Sequence, residues 1–138
     1  MSFVPLNDSK LADDGFYGLM GTGVTATKHQ LLKYSSGYLV NAADGDDEAQ
    51  YLALETKTNS GADGAAEVHV VSLNSNPKFI ALCSTTPVQA THVGNDYDLD
   101  DAYTVKLSAT TDKVFHIDYI YDAASYLVVG HFNTPAIA

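Results

Sequence analysis

The chain has 138 residues, 46% of them hydrophobic and 17% charged, a composition typical of a folded globular protein with one domain and its own core. Acidic residues outnumber basic residues by 17 to 7, every basic residue is a lysine, and the net charge is −10. This charge disfavours binding to nucleic acid and to anionic membranes, because both would repel the chain. We therefore expect neither as a partner.

Cysteine usage and the N-terminal sequence bear on where the chain is made. Cys83 is the sole cysteine, which excludes an intramolecular disulfide, and its apolar neighbours at 79–82 predict a buried thiol. Residues 1–5 lack the basic and apolar regions of a signal peptide, and no apolar run approaches the roughly 20 residues that cross a bilayer. We expect synthesis in a cytoplasm.

Residues 1–26 are interpreted as an N-terminal arm. The segment contains four glycines and shows neither the period of a strand nor that of a helix. Its larger apolar side chains are anchors, either for packing on the chain's own domain or for contacting a neighbouring molecule: Phe3, Phe16, Tyr17, Leu19 and Met20.

The segment 27–133 has the pattern of short strands separated by turns, and residues 134–138 form a C-terminal tail. We predict that the first two strands form a hairpin around Gly37, and that 67–73 pairs with 78–83 as a second hairpin. With no long amphipathic helix, the sequence predicts an all-β fold, a small antiparallel β-barrel or sandwich. The candidate strands are 30–34, 38–40, 51–56, 67–73, 78–83, two short runs within 90–107, 114–121 and 126–132.

The stretch 90–107 concentrates carboxylates, at Asp96, Asp98, Asp100 and Asp101. An EF-hand calcium loop needs a glycine at its sixth position and a glutamate at its twelfth. Counted from Asp96, these positions are Asp101 and Leu107. The spacing therefore favours a solvated strand edge and turn over a calcium site.

Other patterns that would indicate chemistry are incomplete. No two of the five histidines are three to five residues apart, and no cysteine pair joins them, so zinc is not expected. His116 and Asp118 share one face of the predicted strand 114–121, but no Gly-x-Ser-x-Gly elbow presents a serine to them. The glycines at 18–23 lack the lysine of a phosphate loop. We expect no enzymatic activity, no cofactor and no metal.

Tyrosine is abundant, with nine residues and no tryptophan. Exposed tyrosines favour protein–protein contacts, because a rigid ring with a polar end is ordered at little entropic cost. We select Tyr97 and Tyr103 as candidate contact residues. Strict alternation would place four side chains of strand 114–121 on one face: Phe115, Ile117, Tyr119 and Tyr121.

These features together resemble the small head decoration, or cement, proteins of tailed bacteriophages. The resemblance covers about residues 25–133 and is one of pattern. It rests on the run Thr25-Ala26-Thr27-Lys28-His29-Gln30-Leu31-Leu32-Lys33, the Gly37 hairpin, Thr91-His92-Val93-Gly94, Tyr97-Asp98-Leu99, Ala102-Tyr103-Thr104-Val105 and Leu127-Val128-Val129-Gly130-His131-Phe132.

The resemblance implies a compact β-barrel on the outer surface of the expanded virion head, commonly a homotrimer, that ties neighbouring copies of the major capsid protein together. An N-terminal arm in such proteins often bridges neighbours. We accordingly expect deletion of residues 1–24 to weaken capsid attachment without unfolding the barrel. The alternative from a different class is a carbohydrate- or host-binding β-module of a virion tail or fibre, in which exposed tyrosines would stack on sugars.

Overall fold

The computed structural model describes residues 3–6, 15–42, 50–73, 78–101, 104–111 and 113–133. In these ranges the chain is mostly strand, which confirms the all-β prediction, with one short α-helix, α1 (Gln89–His92), and a 3-10 helix at Ala123–Ser125. Tyr103 and the predicted tail at 134–138 lie outside the described residues. The strands are β1 (Phe3–Pro5), β2 (Phe16–Leu19), β3 (Thr25–Ala26), β4 (Leu31–Ser35), β5 (Tyr38–Asn41), β6 (Tyr51–Ala53), β7 (Lys57–Thr58), β8 (Glu67–Ser72), β9 (Phe79–Cys83), β10 (Asp96–Asp101), β11 (Thr104–Lys106), β12 (Phe115–Asp122) and β13 (Leu127–Phe132).

Strand β9 lies at the centre of the larger sheet. Residues 79–82 pair with β13 along one edge of β9. Along its other edge, residues 79–81 pair with β1 and residues 82–83 pair with β11. From β11 the sheet continues through β10 and β12 to β13, so the pairing returns to β9.

The second sheet has the order β2-β8-β6-β4-β5 and is antiparallel throughout. Met20, which follows β2, bridges to Leu39 in β5. The turn between β4 and β5 has positive φ at Ser36 and Gly37, 52° and 88°, as the tight turns that suit the twist of a hairpin require. The hairpin predicted at Gly37 is therefore confirmed. A separate small sheet pairs β3 with β7.

The second predicted hairpin, between 67–73 and 78–83, is wrong. Strand β8 lies between β2 and β6 in the second sheet, whereas β9 belongs to the larger sheet. Both edges of β8 are occupied by β2 and β6, which leaves no edge for β9. Strands β8 and β9 are thus neighbours in sequence but lie in different sheets.

Four buried phenylalanines form the centre of the larger core: Phe3, Phe79, Phe115 and Phe132. The ring centroid of Phe3 lies 5.5 Å from that of Phe115 and 5.0 Å from that of Phe132. Cys83 belongs to the same core, and burial raises the pKa of its thiol to about 12, which confirms the predicted buried thiol. A smaller core lies against the second sheet and includes Ala26 of β3. It is formed by Met20, Ala26, Leu32, Leu39, Ala53, Val68 and Val70.

The described parts of the predicted arm pair within the chain. Strands β1, β2 and β3 pair with β9, β8 and β7 respectively, and Phe3 and Met20 are fully buried. Pro5 lies on β1, which has a single strand partner and so tolerates the missing N–H. The expectation that the fold survives deletion of residues 1–24 is therefore revised, because the deletion removes two core side chains.

Replacing Phe3 by alanine should lower the free energy of unfolding by about 3–5 kcal/mol, because it removes a fully buried ring and leaves a cavity. Urea unfolding followed by far-UV circular dichroism measures the change. The control is Leu6→Ala, at a side chain that is 46% exposed, and it should cost less than about 0.5 kcal/mol. Small and equal effects of the two substitutions would contradict the packing of β1 on the core.

Candidate functional site

A group of charged and imidazole side chains lies on the outward face of the larger sheet. The register pairs Asp96 in β10 with His116 in β12, and His116 with His131 in β13, so these three residues form a row across three strands. Asp118 follows two residues after His116, and Lys78 directly precedes β9. We call these five residues the histidine cluster.

Each imidazole of the histidine cluster is bonded to a carboxylate. His116 Nδ1 lies 2.8 Å from Asp96 Oδ1, and His131 Nδ1 lies 3.1 Å from Asp118 Oδ2. Because an ionised carboxylate only accepts hydrogen bonds, the Nδ1–H of each ring is the donor. The two ring centroids are 5.0 Å apart. These bonds add side-chain connections to the backbone pairing of β10, β12 and β13.

Asp118 has a second donor in Lys78, whose Nζ lies 2.7 Å from the same Oδ2 that His131 contacts. Burial raises the pKa of Asp118, but the hydrogen bonds and charges of Lys78 and His131 outweigh this effect, so the pKa lies below its ordinary value. The fold thus favours the ionised carboxylate.

The prediction that His116 and Asp118 share a face of the strand is confirmed, but the bonded partner of His116 is Asp96. His116 Nε2 points toward Asp118, at 3.9 Å from Oδ1. Within the described ranges no three His, Cys, Asp or Glu side chains are arranged to hold a metal ion. We interpret the histidine cluster as a structural group whose side-chain hydrogen bonds hold neighbouring strands together.

A shallow depression of about 350 Å³ borders the histidine cluster at Asp96. Its other lining residues are Asn95, Tyr97, Thr110 and Lys113. Asn133 Nδ2 donates to Asp96 Oδ1 at 3.1 Å, so this carboxylate is shared between His116 and Asn133. The carboxylate therefore serves to fix the ends of β10 and β13.

The expectation of a solvated carboxylate edge at 96–101 is wrong for Asp98, which is only 4% exposed. Strand β10 is flanked by β11 and β12, so it is an interior strand of the sheet. Asp98 accepts hydrogen bonds from the backbone N–H groups of Thr111 and Lys113, at 3.2 and 2.8 Å. These bonds compensate the burial of the carboxylate and fix the loop before β12.

Of the predicted contact residues, three are exposed and belong to β2: Phe16, Tyr17 and Leu19. The register of β2 with β8 has no shift, so Tyr17 and Leu19 share one face of the strand and Phe16 projects from the other. We call Tyr17 and Leu19 the β2 surface. Tyr17 is 60% exposed and stacks on His69, with ring centroids 4.8 Å apart. Phe16 packs edge-on against Tyr51 at 5.5 Å. Both rings are therefore ordered by a neighbour and still face solvent.

The other predicted contact residues are placed differently. Phe3, Met20 and Tyr97 are buried within the chain, with at most 5% exposed, and the hydroxyl of Tyr97 donates to the carbonyl of Thr91. In this conformation they offer a neighbour almost no surface. Tyr103 lies outside the described residues.

Three exposed tyrosines lie on the β12–β13 hairpin, where the sequence did not place a contact site. Tyr119 and Tyr121 are on β12, and Tyr126 is in the turn before β13. The prediction that Tyr119 and Tyr121 share a face with Phe115 and Ile117 is wrong, because the register shifts between Ile117 and Tyr119. A β-bulge carries no clear signal in a single sequence.

No protein-family model matches the chain, and neither a curated protein nor a solved structure matches it. Among the described residues, no helix has the length and hydropathy needed to span a membrane.

Replacing Asp118 by asparagine should destabilise the protein by about 1 kcal/mol at pH 7, because the amide keeps the shape but loses the charge that Lys78 and His131 stabilise. A carboxylate with a lowered native pKa contributes stability above its unfolded pKa and loses it as the pH falls through the native pKa. The gap between wild type and variant should therefore close from about pH 5 downward.

Urea unfolding at several pH values between 7 and 2.5 measures this gap. Glu67→Gln, at an exposed position on β8, is the matched control and should differ little from wild type across the range. A gap for Asp118→Asn that stays constant down to pH 2.5 would contradict the role given to its charge.

Proposed function

We propose that this chain is a decoration protein of a tailed-phage head, which binds the outer surface of the expanded capsid and stabilises contacts between copies of the major capsid protein. The role is structural and not enzymatic, and the functional form is a homotrimer on the capsid. The protein is synthesised in the host cytoplasm and acts on the virion. The resemblance over residues 25–133 is the starting point of this proposal.

The observation that carries the proposal is the β2 surface. It exposes the Tyr17 ring and Leu19 from one face of β2, and the strand itself is held by pairing with β8 and by the bridge from Met20 to Leu39. Preordered aromatic side chains supply contact area at low entropic cost, as protein interfaces require. The proposed capsid contact is thus a rigid surface and not a free N-terminal arm.

Charge and strand pairing support the same proposal. A net charge of −10 suits the outside of a shell better than its DNA-facing interior, where packaged DNA would repel the chain. We propose that the larger sheet closes as a small barrel, which the return of its pairing to β9 supports. A closed sheet leaves few unpaired edges and suits a particle that must resist pressure from within.

A carbohydrate- or host-binding module is the second candidate, and Tyr17 is the observation that favours it. A tyrosine ring stacked on His69 and still 60% exposed is a surface on which a sugar would stack. Titration of the protein against a glycan panel separates the two functions. Saturable glycan binding that Tyr17→Thr abolishes would favour the second candidate.

The direct test uses expanded heads of the encoding phage, prepared from a mutant that lacks this chain. The purified protein should cosediment with these heads at a fixed saturating number and should raise their resistance to heat. The double substitution Tyr17→Thr with Leu19→Thr should weaken binding by about tenfold or more, since it removes the exposed ring and leucine from the contact.

The control for this test is Val88→Thr, which changes a side chain of similar exposure, 48%, away from the β2 surface. It should bind heads as the wild type does. Circular dichroism and a melting curve verify that all variants fold. Failure of the wild-type protein to bind expanded heads at any concentration tested would reject the proposed function.

A further inference from the structure

The β12–β13 hairpin carries a second aromatic surface, on a different sheet from β2. Tyr119, Tyr121 and Tyr126 are 48%, 56% and 42% exposed, and we call them the hairpin tyrosines. Large aromatic side chains of this exposure contribute little to the core. Three of them on one hairpin indicate a surface that a partner covers.

Bulges in β12 turn two of these tyrosines outward. Strand β12 places eight residues opposite six of β13, with register shifts after Ile117 and after Ile120. The first shift reverses the alternation, so that Ile120 packs against the core and Tyr119 faces outward. The second shift leaves Tyr121 without a register partner. Bulges commonly redirect side chains next to functional sites.

Tyr126 adds an independent observation, because its backbone is left-handed, with φ 63° and ψ 31°. This conformation favours glycine or asparagine and is strained for a bulky side chain. The ring of Tyr126 is exposed and does not recover the strain through burial. The backbone conformation itself closes the turn, since Tyr126 N–H donates to Ala123 O, but glycine or asparagine would serve this purpose with less strain. A tyrosine at such a position is a sign of a functional side chain.

The charges beside the hairpin tyrosines indicate the chemistry of the partner. Asp122 is exposed at the end of β12, where its carboxylate caps the following turn by accepting from Ala124 N and Ser125 Oγ. The whole chain carries a net charge of −10. Tyrosine rings and a carboxylate together attract lysine and arginine side chains, the rings through the cation–π interaction.

We infer that the hairpin tyrosines and Asp122 form a second docking surface, which receives a lysine- or arginine-bearing surface of the shell protein. This inference rests on the proposed function and gives it a mechanism. Two docking surfaces on two sheets let one molecule hold two neighbouring shell subunits. Each contact is then strengthened by the other through a high effective concentration.

The test measures attachment to expanded heads with three variants of the full chain. Tyr119→Thr with Tyr121→Thr keeps β-branched residues in the strand and removes both rings. Tyr126→Gly relieves the left-handed backbone. Asp122→Asn keeps the capping oxygen and removes the charge. Val88→Thr is again the control, and melting curves are recorded for all four.

The inference predicts that the double tyrosine variant loses about tenfold or more in affinity. Tyr126→Gly should also bind more weakly, although its melting temperature equals or exceeds that of the wild type. Raising the salt concentration from 0.05 to 0.5 M should weaken wild-type attachment, and Asp122→Asn should reduce this salt dependence.

Four results would overturn the inference. If the double tyrosine variant binds heads with wild-type affinity, the hairpin tyrosines are not a docking surface, but the proposed function stands. If the double tyrosine variant loses affinity but wild-type attachment does not depend on salt, the partner surface is not cationic. A changed oligomeric state with unchanged attachment would show that the hairpin joins copies of this chain. Absence of head binding by the wild type would reject this inference and the proposed function together.

Discussion

The pairing of β9 on both of its edges is the constraint on which the larger sheet depends. One edge carries β13, the last strand, and the other carries β1, the first strand, together with β11. Phe79, Ala81 and Cys83 then alternate into the core while Ile80 and Leu82 are half-buried on the other face. A strand so occupied has no free backbone edge to offer another molecule, so β9 itself can contact a partner only through its side chains.

Hydrogen bonds of buried and half-buried polar side chains fix the segments that carry the exposed surfaces of the two sheets. Asn59 is 1% exposed, and its side-chain amide donates to the carbonyls of Met20, Gly21 and Ala62 and accepts from Gly61 N. The amide thereby fixes the residues that follow β2, and this also restricts the motion of the β2 surface. Asp98 does the same for the loop before β12, and the histidine cluster does so for β12 and β13. Full satisfaction of such groups rigidifies a fold.

Local patterns in the sequence predicted the β4–β5 hairpin and the strands from β4 onward except β7, because alternation and a positive-φ turn at Gly37 are properties of neighbouring residues. Strands β1, β2 and β3 lie in the segment interpreted as an arm and were not predicted. The pairing of β8 and β9 was predicted from their adjacency and the turn residues between them, and it fails because the pairing of a strand depends on all the strands of the sheet. The row from Asp96 through His116 to His131 joins residues far apart in sequence. Asp98 is buried because β10 is an interior strand, and Tyr119 is exposed because β12 contains a bulge. A single sequence shows neither feature.

The contact between Phe3 and Phe132 spans nearly the whole chain, with ring centroids 5.0 Å apart. During synthesis on a ribosome, β1 and β9 therefore emerge long before β13, which completes their sheet. Contacts of such long sequence separation form slowly, because a large loop must close, at a cost in chain entropy, before the contacts can stabilise the fold. The larger sheet can consequently close only after β13 has been synthesised, and until then the ring of Phe3 lacks its contact with Phe132.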